Sequence, residues 1–352
     1  MLKKLRIQNF RSYDDQTFDF IDGVNIIVGP NGSGKTNLLE AILMITGAKS
    51  YRVKDDQTIM YQKDWARLDA TTNTEIRSLK LISKEHSPAD RLLEINKEVI
   101  KRITQSKKIP AVLFEPNHLL LFHGGPEARR DFLDDLLEYT LPSYQTLRKQ
   151  YRRTLLQRNR LLKQQPEDIK KMIFVWNIRL SELAGQIVIH RHELIEKIND
   201  FLPKLYADIS NSNSKVAAIY ESQAPIIQYS SQMLHKLEDS LQKDIERGYT
   251  TFGPHRDDLV IEIDGHAMSQ NASRGETRTV LLGLKIIELY LIESVYGKKP
   301  ILLLDDVFSE LDNRRRQSLT VVIKGYQTFI TTTDADVIPD SFSENYQTIK
   351  IG

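Results

Sequence analysis

Residues 29–36 read GPNGSGKT and fit the pattern G-x-x-x-x-G-K-S/T at every fixed position. A short apolar stretch, Val24 to Val28, precedes them, and a helical pattern begins directly after them at Asn37. A strand, a glycine-rich loop and a helix in this order predict a phosphate-binding loop. The glycines allow successive backbone N–H groups to point inward, and the helix adds the positive end of its dipole.

The loop and the first residues of the helix form the predicted nucleotide site. Lys35 is predicted to reach the β- and γ-phosphates, and the Thr36 hydroxyl is predicted to hold Mg²⁺. The residues expected to contact the nucleotide are consecutive: Gly29, Pro30, Asn31, Gly32, Ser33, Gly34, Lys35, Thr36 and Asn37. The alternative is a glycine-rich turn that fits by chance, and the flanking strand and helix argue against it.

A second motif stands far along the chain, where Ile301 to Leu304 is followed by Asp305 and Asp306. Four apolar residues that end in two carboxylates predict a buried strand of the Walker B type. We expect Asp305 to hold Mg²⁺ through water. We expect Asp306 to be the base, or the water-positioning group, for attack on the γ-phosphate. The alternative is a strand that leads into an acidic turn.

Ser273, Gly275 and Glu276 stand at the start of a helix predicted from about Thr277 to Tyr296. Ser273 and Glu276 have the S-x-x-E spacing of a capping box. Because a helix N-terminus can bind an anion, these residues are further candidate nucleotide contacts. Many helices begin with a capping box, so this motif indicates a nucleotide contact only in combination with the other motifs.

The composition is that of a globular protein, with 352 residues, 40% hydrophobic and 27% charged. The formal net charge is +2, so we expect any basic surface to be local. The chain contains no cysteine, which excludes disulfides and thiolate metal sites and suits a reducing compartment. Since no uninterrupted apolar run approaches about 18 residues, we expect no membrane span and a cytoplasmic location.

The first part of the chain is predicted to form a β-hairpin that leads into a buried strand over residues 2–28. Arg11, in the turn of this hairpin, could reach a nucleotide phosphate or could be a solvated turn residue. Further strands are predicted from apolar runs: Ile76 to Ile82, Arg91 to Ile103, Pro110 to Phe122 and, as the last strand, Gln327 to Ile330.

The composition changes at Pro142, because the stretch from there to Pro166 contains seven basic residues and no acidic one. Apolar residues at helical spacing predict a helix in this stretch. A second, longer periodic stretch follows from Ile169 to Phe201 and is predicted to end at Pro203. Two long helices joined at Pro166 predict an antiparallel hairpin.

The basic residues of the first arm helix have two interpretations. One is a solvated helix surface, and the other is a surface that follows the phosphates of DNA. The lack of acidic residues in the stretch favours DNA contact. The candidate DNA-binding residues are Arg148, Arg152, Arg153, Arg158 and Arg160.

The order of these motifs resembles that of ABC-type ATPase heads of the SMC and RecF class. The stretch between Thr36 and Ser273 is longer than in a transporter ATPase domain and far shorter than the coiled coil of an SMC protein. The resemblance implies an α/β fold, in which a P-loop sheet with helices and an antiparallel β subdomain form the head. It places the head at 1–125 and 248–352 and an inserted, mainly helical arm domain at 126–247.

Longer stretches are similar to the RecF family and follow one another along nearly the whole chain. They are LRIQNFRSY (5–13), GPNGSGKTNLLEAI (29–42), KSYR (49–52), FEPNHL (114–119), GGPEARRDFLD (124–134), LLQRNRLLK (155–163), FGPHRDDL (252–259), SRGETRT (273–279), LLLDDVFSELD (302–312) and TTTD (331–334). RecF proteins are similar in having Asp-Asp where most ABC ATPases have Asp-Glu.

The resemblance implies several functional properties. Two heads would dimerise on ATP and Mg²⁺, with each signature helix closing on the γ-phosphate held by the other head. Slow hydrolysis at Asp306 would make the protein a weak ATPase used as a switch. The homodimer would clamp gapped or single/double-strand junction DNA in recombinational repair and replication-fork restart. It would promote recombinase loading through RecR, with RecO.

Two other functions are possible for an ABC-type ATPase head of this kind. An ABC-type ATPase that regulates a separate nuclease or transporter partner would need a docking surface in place of the basic arm. A purely structural tether is disfavoured by the arm's length.

The sequence departs from the wider ABC pattern at two places. Glu115 to Asn117 stand where a glutamine loop is expected. Thr331 to Asp334 stand, without a histidine, in the terminal switch loop.

Overall fold

The computed structural model describes residues 1–84, 87–101, 103–333 and 345–352. These residues form two compact units. The first unit is Met1–His118 together with Glu288–Gly352, and the second unit is Leu119–Ile287. The boundaries differ from the predicted head and arm, because the second unit also contains the strands that follow the helical arm.

The strands of the described residues are numbered in chain order. They are β1 (Leu2–Phe10), β2 (Tyr13–Asp19), β3 (Val24–Val28), β4 (Trp65–Thr72), β5 (Ile76–Lys84), β6 (Ser87–Ile95), β7 (Glu98–Ile100), β8 (Ala111–Phe114), β9 (Val216–Glu221), β10 (Asp258–Ile263), β11 (His266–Ala267), β12 (Ile301–Asp305), β13 (Thr328–Thr332) and β14 (Tyr346–Lys350).

The helices are numbered in the same way. They are α1 (Lys35–Ile45), α2 (Leu120–His123), α3 (Pro126–Thr140), α4 (Tyr144–Gln164), α5 (Ile169–Ser210), α6 (Tyr229–Asp239), α7 (Leu241–Arg247), α8 (Met268–Asn271), α9 (Arg274–Tyr296), α10 (Val307–Glu310) and α11 (Asn313–Ile323).

The central sheet of the first unit has five parallel strands in the order β14-β3-β13-β12-β8. Residues of β8, β12 and β13 are buried along the whole strand, as expected for parallel strands covered on both faces. Because the strands are parallel, the loop after β3 and the carboxylates at the end of β12 meet at one edge of the sheet.

A second, antiparallel sheet in the same unit has the order β2-β1-β4-β5-β6-β7. Helix α1 packs in a core that both sheets share. Leu5 and Leu79 reach this core from the antiparallel sheet, and Leu303 and Phe329 reach it from the parallel sheet. The apolar residues of α1 are therefore buried on more than one side, which fixes the helix that follows the glycine-rich loop.

The strands of the first unit differ from the prediction at three places. The strand predicted at Pro110 to Phe122 ends at Phe114, and the residues after Leu119 are helical. Pro116 lacks the backbone N–H that a continued strand would need. Strand β4 was not predicted, and neither was β14, an edge strand that pairs with β3 beyond the predicted last strand.

In the second unit, α4 and α5 pack against each other as the predicted antiparallel hairpin. Arg158 on α4 hydrogen-bonds Asn177 on α5, and Gln150 hydrogen-bonds Arg179. Helix α5 does not end at Pro203 as predicted but continues to Ser210. Leu202 and Tyr206 on either side of the proline are buried. Their burial, roughly 1.5–3 kcal/mol per side chain, offsets the cost of about 3 kcal/mol for an interior proline.

The second unit also contains a three-stranded sheet with the order β11-β10-β9. A tight turn at Asp264 and Gly265 joins β10 to β11. Asn199 of α5 lies against the free edge of β9. Its side chain donates to Ala218 O at 2.8 Å and accepts from Ala218 N at 2.8 Å, so one amide group satisfies both backbone groups of a strand residue.

Helix α5 is the one helix of the described residues that is long and apolar enough, by length and composition alone, to cross a membrane. Half of its most apolar window is buried inside the protein. Its buried residues pack on α4, α6 and β9. The core helix of a globular protein can be equally long and apolar, because its apolar residues pack against several neighbouring elements.

Two of the predicted DNA-binding arginines lie in the interior of the second unit. The Arg158 side chain is fully buried and donates to Asp244 at 2.8 Å and to Thr250 at 2.7 Å. The Arg148 side chain is 9% exposed and donates to Asp131 at 2.5 Å and to Asp135 at 2.7 Å. The prediction that Arg148 and Arg158 contact DNA is therefore wrong, because their guanidinium groups are already paired within the protein.

We expect Arg158→Ala to lower the free energy of unfolding by about 3–5 kcal/mol, because it leaves the Asp244 carboxylate buried without its partner. Arg153→Ala, on the exposed face of the same helix, is the matched control and should change this free energy by less than about 0.5 kcal/mol. Urea unfolding of the full chain, followed by circular dichroism, measures both. Equal, small effects would show that the Arg158 pair is not an interior one.

Candidate nucleotide site

The glycine-rich loop joins β3 to α1, as predicted. Gly32 and Gly34 have φ angles of +82° and +104°, in the left-handed region that side chains rarely adopt. A Cβ atom on Gly34 would lie 2.8 Å from Ser12 Oγ and 3.0 Å from the Tyr13 hydroxyl. The loop can therefore take this path only with glycine at position 34.

Lys35 bends back over the loop that precedes it. Its Nζ donates to Gly29 O at 2.7 Å and to Pro30 O at 2.8 Å, and the residue is 9% exposed. Two carbonyls at the start of the loop hold the ammonium group. A phosphate bound by the N–H groups that begin α1 would be attracted by the positive charge of this group.

The carboxylate of Asp305, at the end of β12, collects hydroxyl groups from three segments. Thr36 Oγ1 donates to Asp305 Oδ1 at 3.0 Å, and Thr331 Oγ1 donates to the same oxygen at 2.7 Å. The Tyr51 hydroxyl lies 3.4 Å from Asp305 Oδ2. Burial, and secondly the charge of Asp305, raise the pKa of Tyr51, so its hydroxyl keeps its proton. The structure therefore brings Thr36 and Asp305 into direct contact.

Asp306 follows in a left-handed backbone conformation, with φ of 52° and ψ of 25°. Its N–H donates to Thr331 Oγ1 at 2.9 Å. One carboxylate oxygen, Oδ1, is buried and has no hydrogen-bond partner among the residues that the structure describes. A buried carboxylate oxygen without a partner is costly unless a water or ligand binds it, so Asp306 fits a water-positioning role.

These residues fit a magnesium-bound nucleotide. Ser33 Oγ, within the loop, is also buried without a partner in the described part of the chain. No side chain caps the N-terminus of α1 in that part, so its first N–H groups face the loop uncapped. The Thr36 hydroxyl and Asp305 carboxylate are oxygen ligands of the kind that Mg²⁺ takes from a protein beside phosphates.

The guanidinium group of Arg11 is paired with a carboxylate of α1. Its guanidinium donates to both oxygens of Glu40, at 2.8 and 2.9 Å, and Glu40 is fully buried on α1. Ser50 Oγ donates to the same carboxylate at 2.5 Å. Through Glu40, Arg11 and Ser50 connect the first hairpin turn and the segment after α1 to the helix that carries Lys35.

An open pocket adjoins the phosphate-binding loop at Asn37, the residue that follows the loop. Asn37 donates to Ser12 Oγ at 3.0 Å and accepts from Arg52 at 3.3 Å. Arg11 lines the same pocket, and so does Tyr61, whose side chain is largely exposed. Asn37 is the residue that this pocket shares with the predicted nucleotide contacts.

The predicted capping box is present at the start of α9, in the second unit. Ser273 N donates to Glu276 Oε2 at 2.7 Å, and Glu276 N donates to Ser273 Oγ at 3.2 Å. Gly275 lies in the first turn between them. These residues belong to the second unit, whereas the loop and the two aspartates belong to the first.

Tyr51 and Thr331 were not predicted as site residues. Both stand in stretches that resemble the RecF family, KSYR and TTTD, but the stretches alone assign them no role. The prediction of a polar loop at Thr331 to Asp334 is wrong for Thr331 and Thr332, which are buried residues of β13. Asp334 lies outside the described residues.

Known proteins are similar to this chain along nearly its whole length. The family described as RecF/RecN/SMC N terminal domain matches residues 1–350. The DNA replication and repair protein RecF of Alkaliphilus oremlandii is 32% identical over 350 residues, which are 97% of this chain and 95% of the relative. A solved structure of the recombination mediator protein RecF-ATPrS in the RecFOR pathway is 29% identical, with a TM-score of 0.87, covering 100% of this chain and 96% of that one.

The Smc head bound to the C-winged helix domain of ScpA is similar at a TM-score of 0.58 and 16% identity, covering 100% of this chain and 94% of that one. At this identity the match concerns the fold alone. The predicted α/β fold of an ABC-type ATPase head is thereby confirmed. With relatives of this similarity along nearly its whole length, the chain belongs to the RecF family.

Proposed function

We propose that the protein is an ATP-dependent DNA-binding protein of recombinational repair and replication-fork restart, acting in the cytoplasm as a weak ATPase used as a switch. The observation that carries the proposal is the convergence of Lys35, Thr36, Asp305 and Asp306 at one edge of the parallel sheet. The names of the relatives, DNA replication and repair protein RecF and a RecF-ATPrS structure, agree with it.

ATP is the proposed ligand of the loop. The backbone N–H groups of residues 29–37 would bind the phosphates, and Lys35 would leave its loop carbonyls to reach the β- and γ-phosphates. Thr36 and Asp305 would hold Mg²⁺, which supplies charge neutralisation of the phosphates when it is bound. The pocket next to Asn37 would take the nucleoside end.

Asp306 is the proposed residue for hydrolysis. Its Oδ1, which has no hydrogen-bond partner among the described residues, is suited to orient a water molecule and to accept its proton. The aspartate side chain is one methylene shorter than a glutamate and reaches less far, which favours slow turnover. Slow turnover suits a protein whose nucleotide state sets its binding to a partner.

Homodimerisation on ATP is the second part of the proposal. The N-terminus of α9, with Ser273, Gly275 and Glu276, would close on the γ-phosphate that another copy of the chain holds. The capping box supports this, because it presents the α9 N-terminus in a fixed, hydrogen-bonded form. A helix N-terminus attracts the negative charge of a phosphate.

DNA contact is proposed for a basic face of α4, defined as Lys149, Arg152, Arg153, Arg160 and Lys163. All five residues are exposed, unlike Arg148 and Arg158. Arg152 lies 3.4 Å from Asp131, a long contact that leaves the guanidinium accessible. The ATP-bound dimer would clamp gapped or junction DNA and promote recombinase loading through RecR, with RecO.

We expect Lys35→Ala to weaken ATP binding by about 10- to 100-fold, because a charge-assisted hydrogen bond contributes about 1.5–3 kcal/mol. Lys324→Ala, an exposed lysine of the same unit, is the matched control and should bind as the wild type does. Isothermal titration with ATP and Mg²⁺ measures both variants. Unchanged affinity of the Lys35 variant would remove the phosphate-binding assignment.

Asp306→Asn is expected to bind ATP and to hydrolyse it about 10²–10⁴-fold more slowly, because it loses the proton acceptor. Sedimentation with ATP and Mg²⁺ should then show a long-lived dimer. Asp19→Asn, which changes an exposed carboxylate on β2, is the control. Normal turnover of the Asp306 variant would exclude this residue from the mechanism.

Reversing the charge of Arg152, Arg153 and Arg160 to glutamate should lower the affinity for gapped duplex DNA. If each contacts one phosphate, the slope of log affinity against log salt should fall by about 0.9 per lost contact. The control variant carries Lys170→Glu, Lys197→Glu and Lys204→Glu, the same charge change on exposed residues of α5. Fluorescence anisotropy over a salt series compares them. Equal losses in both variants would reject a specific basic face.

A further inference from the structure

Thr331 makes two hydrogen bonds that no motif predicts. It lies on β13, in register with Asp305 on the neighbouring strand β12, and it is 1% exposed. Its hydroxyl donates to Asp305 Oδ1 at 2.7 Å. Its oxygen accepts the Asp306 N–H at 2.9 Å. One hydroxyl therefore contacts both residues of the Asp-Asp pair.

The directions of these bonds follow from the chemistry of the groups. A backbone N–H only donates, so Thr331 Oγ1 must be the acceptor for Asp306. The threonine proton is then free for the ionised Asp305 carboxylate, which only accepts. The Asp306 N–H therefore has an acceptor and the Asp305 carboxylate has a donor, so each of the two hydrogen bonds can run in one direction only.

The bond to Asp306 holds an unusual backbone. Asp306 has a φ angle of +52°, and this left-handed geometry is unfavourable for a non-glycine residue. Anchoring of its N–H by Thr331 stabilises this conformation. The conformation in turn sets the direction of the carboxylate whose Oδ1 is buried without a partner among the described residues.

The bond to Asp305 acts on the other carboxylate. Thr36 and Thr331 both donate to Oδ1 of Asp305, one from α1 and the other from β13. If Thr36 turns toward a metal ion, Thr331 still fixes the same oxygen. Asp305 then keeps one hydroxyl donor while Thr36 is engaged elsewhere.

We propose that Thr331 is a positioning residue for ATP hydrolysis, which ties the metal-binding Asp305 to the water-positioning Asp306 through one hydroxyl group. The proposal rests on the proposed function, because it assigns Thr331 a part in the same reaction. Thr331 acts through the two aspartates, which its hydroxyl group contacts directly.

Two variants separate this role from simple packing. Thr331→Val keeps the shape of the side chain and removes the hydroxyl, whereas Thr331→Ser keeps the hydroxyl and removes a methyl group. Positioning predicts that the valine variant turns over ATP about 10- to 100-fold more slowly, as for other residues that orient metal ligands. The serine variant should stay within about threefold of the wild type, even if it melts at a lower temperature.

Packing predicts the reverse order, in which the valine variant is active and the serine variant is impaired. Thr328→Val is the matched control, because Thr328 is a buried threonine of the same strand whose hydroxyl donates to the nearby Tyr326 O at 3.2 Å. This control should leave turnover unchanged.

The measurements are steady-state ATP hydrolysis, the Mg²⁺ concentration that gives half-maximal rate, and binding of ATP. The Thr331→Val variant should bind ATP in the absence of Mg²⁺ as the wild type does, but should need more Mg²⁺ and have a lower kcat. Wild-type rates and Mg²⁺ dependence in this variant would overturn the assignment. A wild-type protein without any ATP hydrolysis would instead refute the proposed function, so the two failures are distinguishable.

Discussion

The hydrogen bond from Thr36 to Asp305 joins two residues that lie far apart in the sequence, and the nucleotide site depends on it. It forms because β3 and β12 run in the same direction in one sheet, with β13 between them. Parallel strands bring the loop after β3 and the carboxylate at the end of β12 to the same edge. A slip of one residue in β12 would turn Asp305 to the opposite face of the sheet.

Burial of α1 keeps Thr36, the donor of this hydrogen bond, in place. The helix lies in a core that the parallel and antiparallel sheets share, so it cannot shift without disturbing both. Its buried Glu40 would be costly without partners, and Arg11 and Ser50 supply them. The segments before and after the phosphate-binding loop are thereby attached to the same helix. Rigidity of this kind is what a site for precisely placed phosphates requires.

The local parts of the site could be predicted from the sequence, and the parts that depend on distant partners could not. The glycine-rich loop, the Asp305-Asp306 strand end and the Ser273 capping box are each specified by a few neighbouring residues. Arg158 is different, because the acidic partner that places it inside, Asp244, comes from another helix. The sequence alone does not distinguish Thr331 from the neighbouring threonines. The register of β13 with β12 places it beside Asp305.

Asn199 has a consequence for the solubility of the second unit. A strand at the edge of a sheet offers unpaired N–H and C=O groups to any extended chain, and such edges promote aggregation. The side-chain amide of Asn199 occupies both groups of Ala218, in the middle of β9. An incoming strand would have to displace the amide and break two hydrogen bonds there. The helix that forms the arm hairpin thus also blocks the sheet edge against fibrous association.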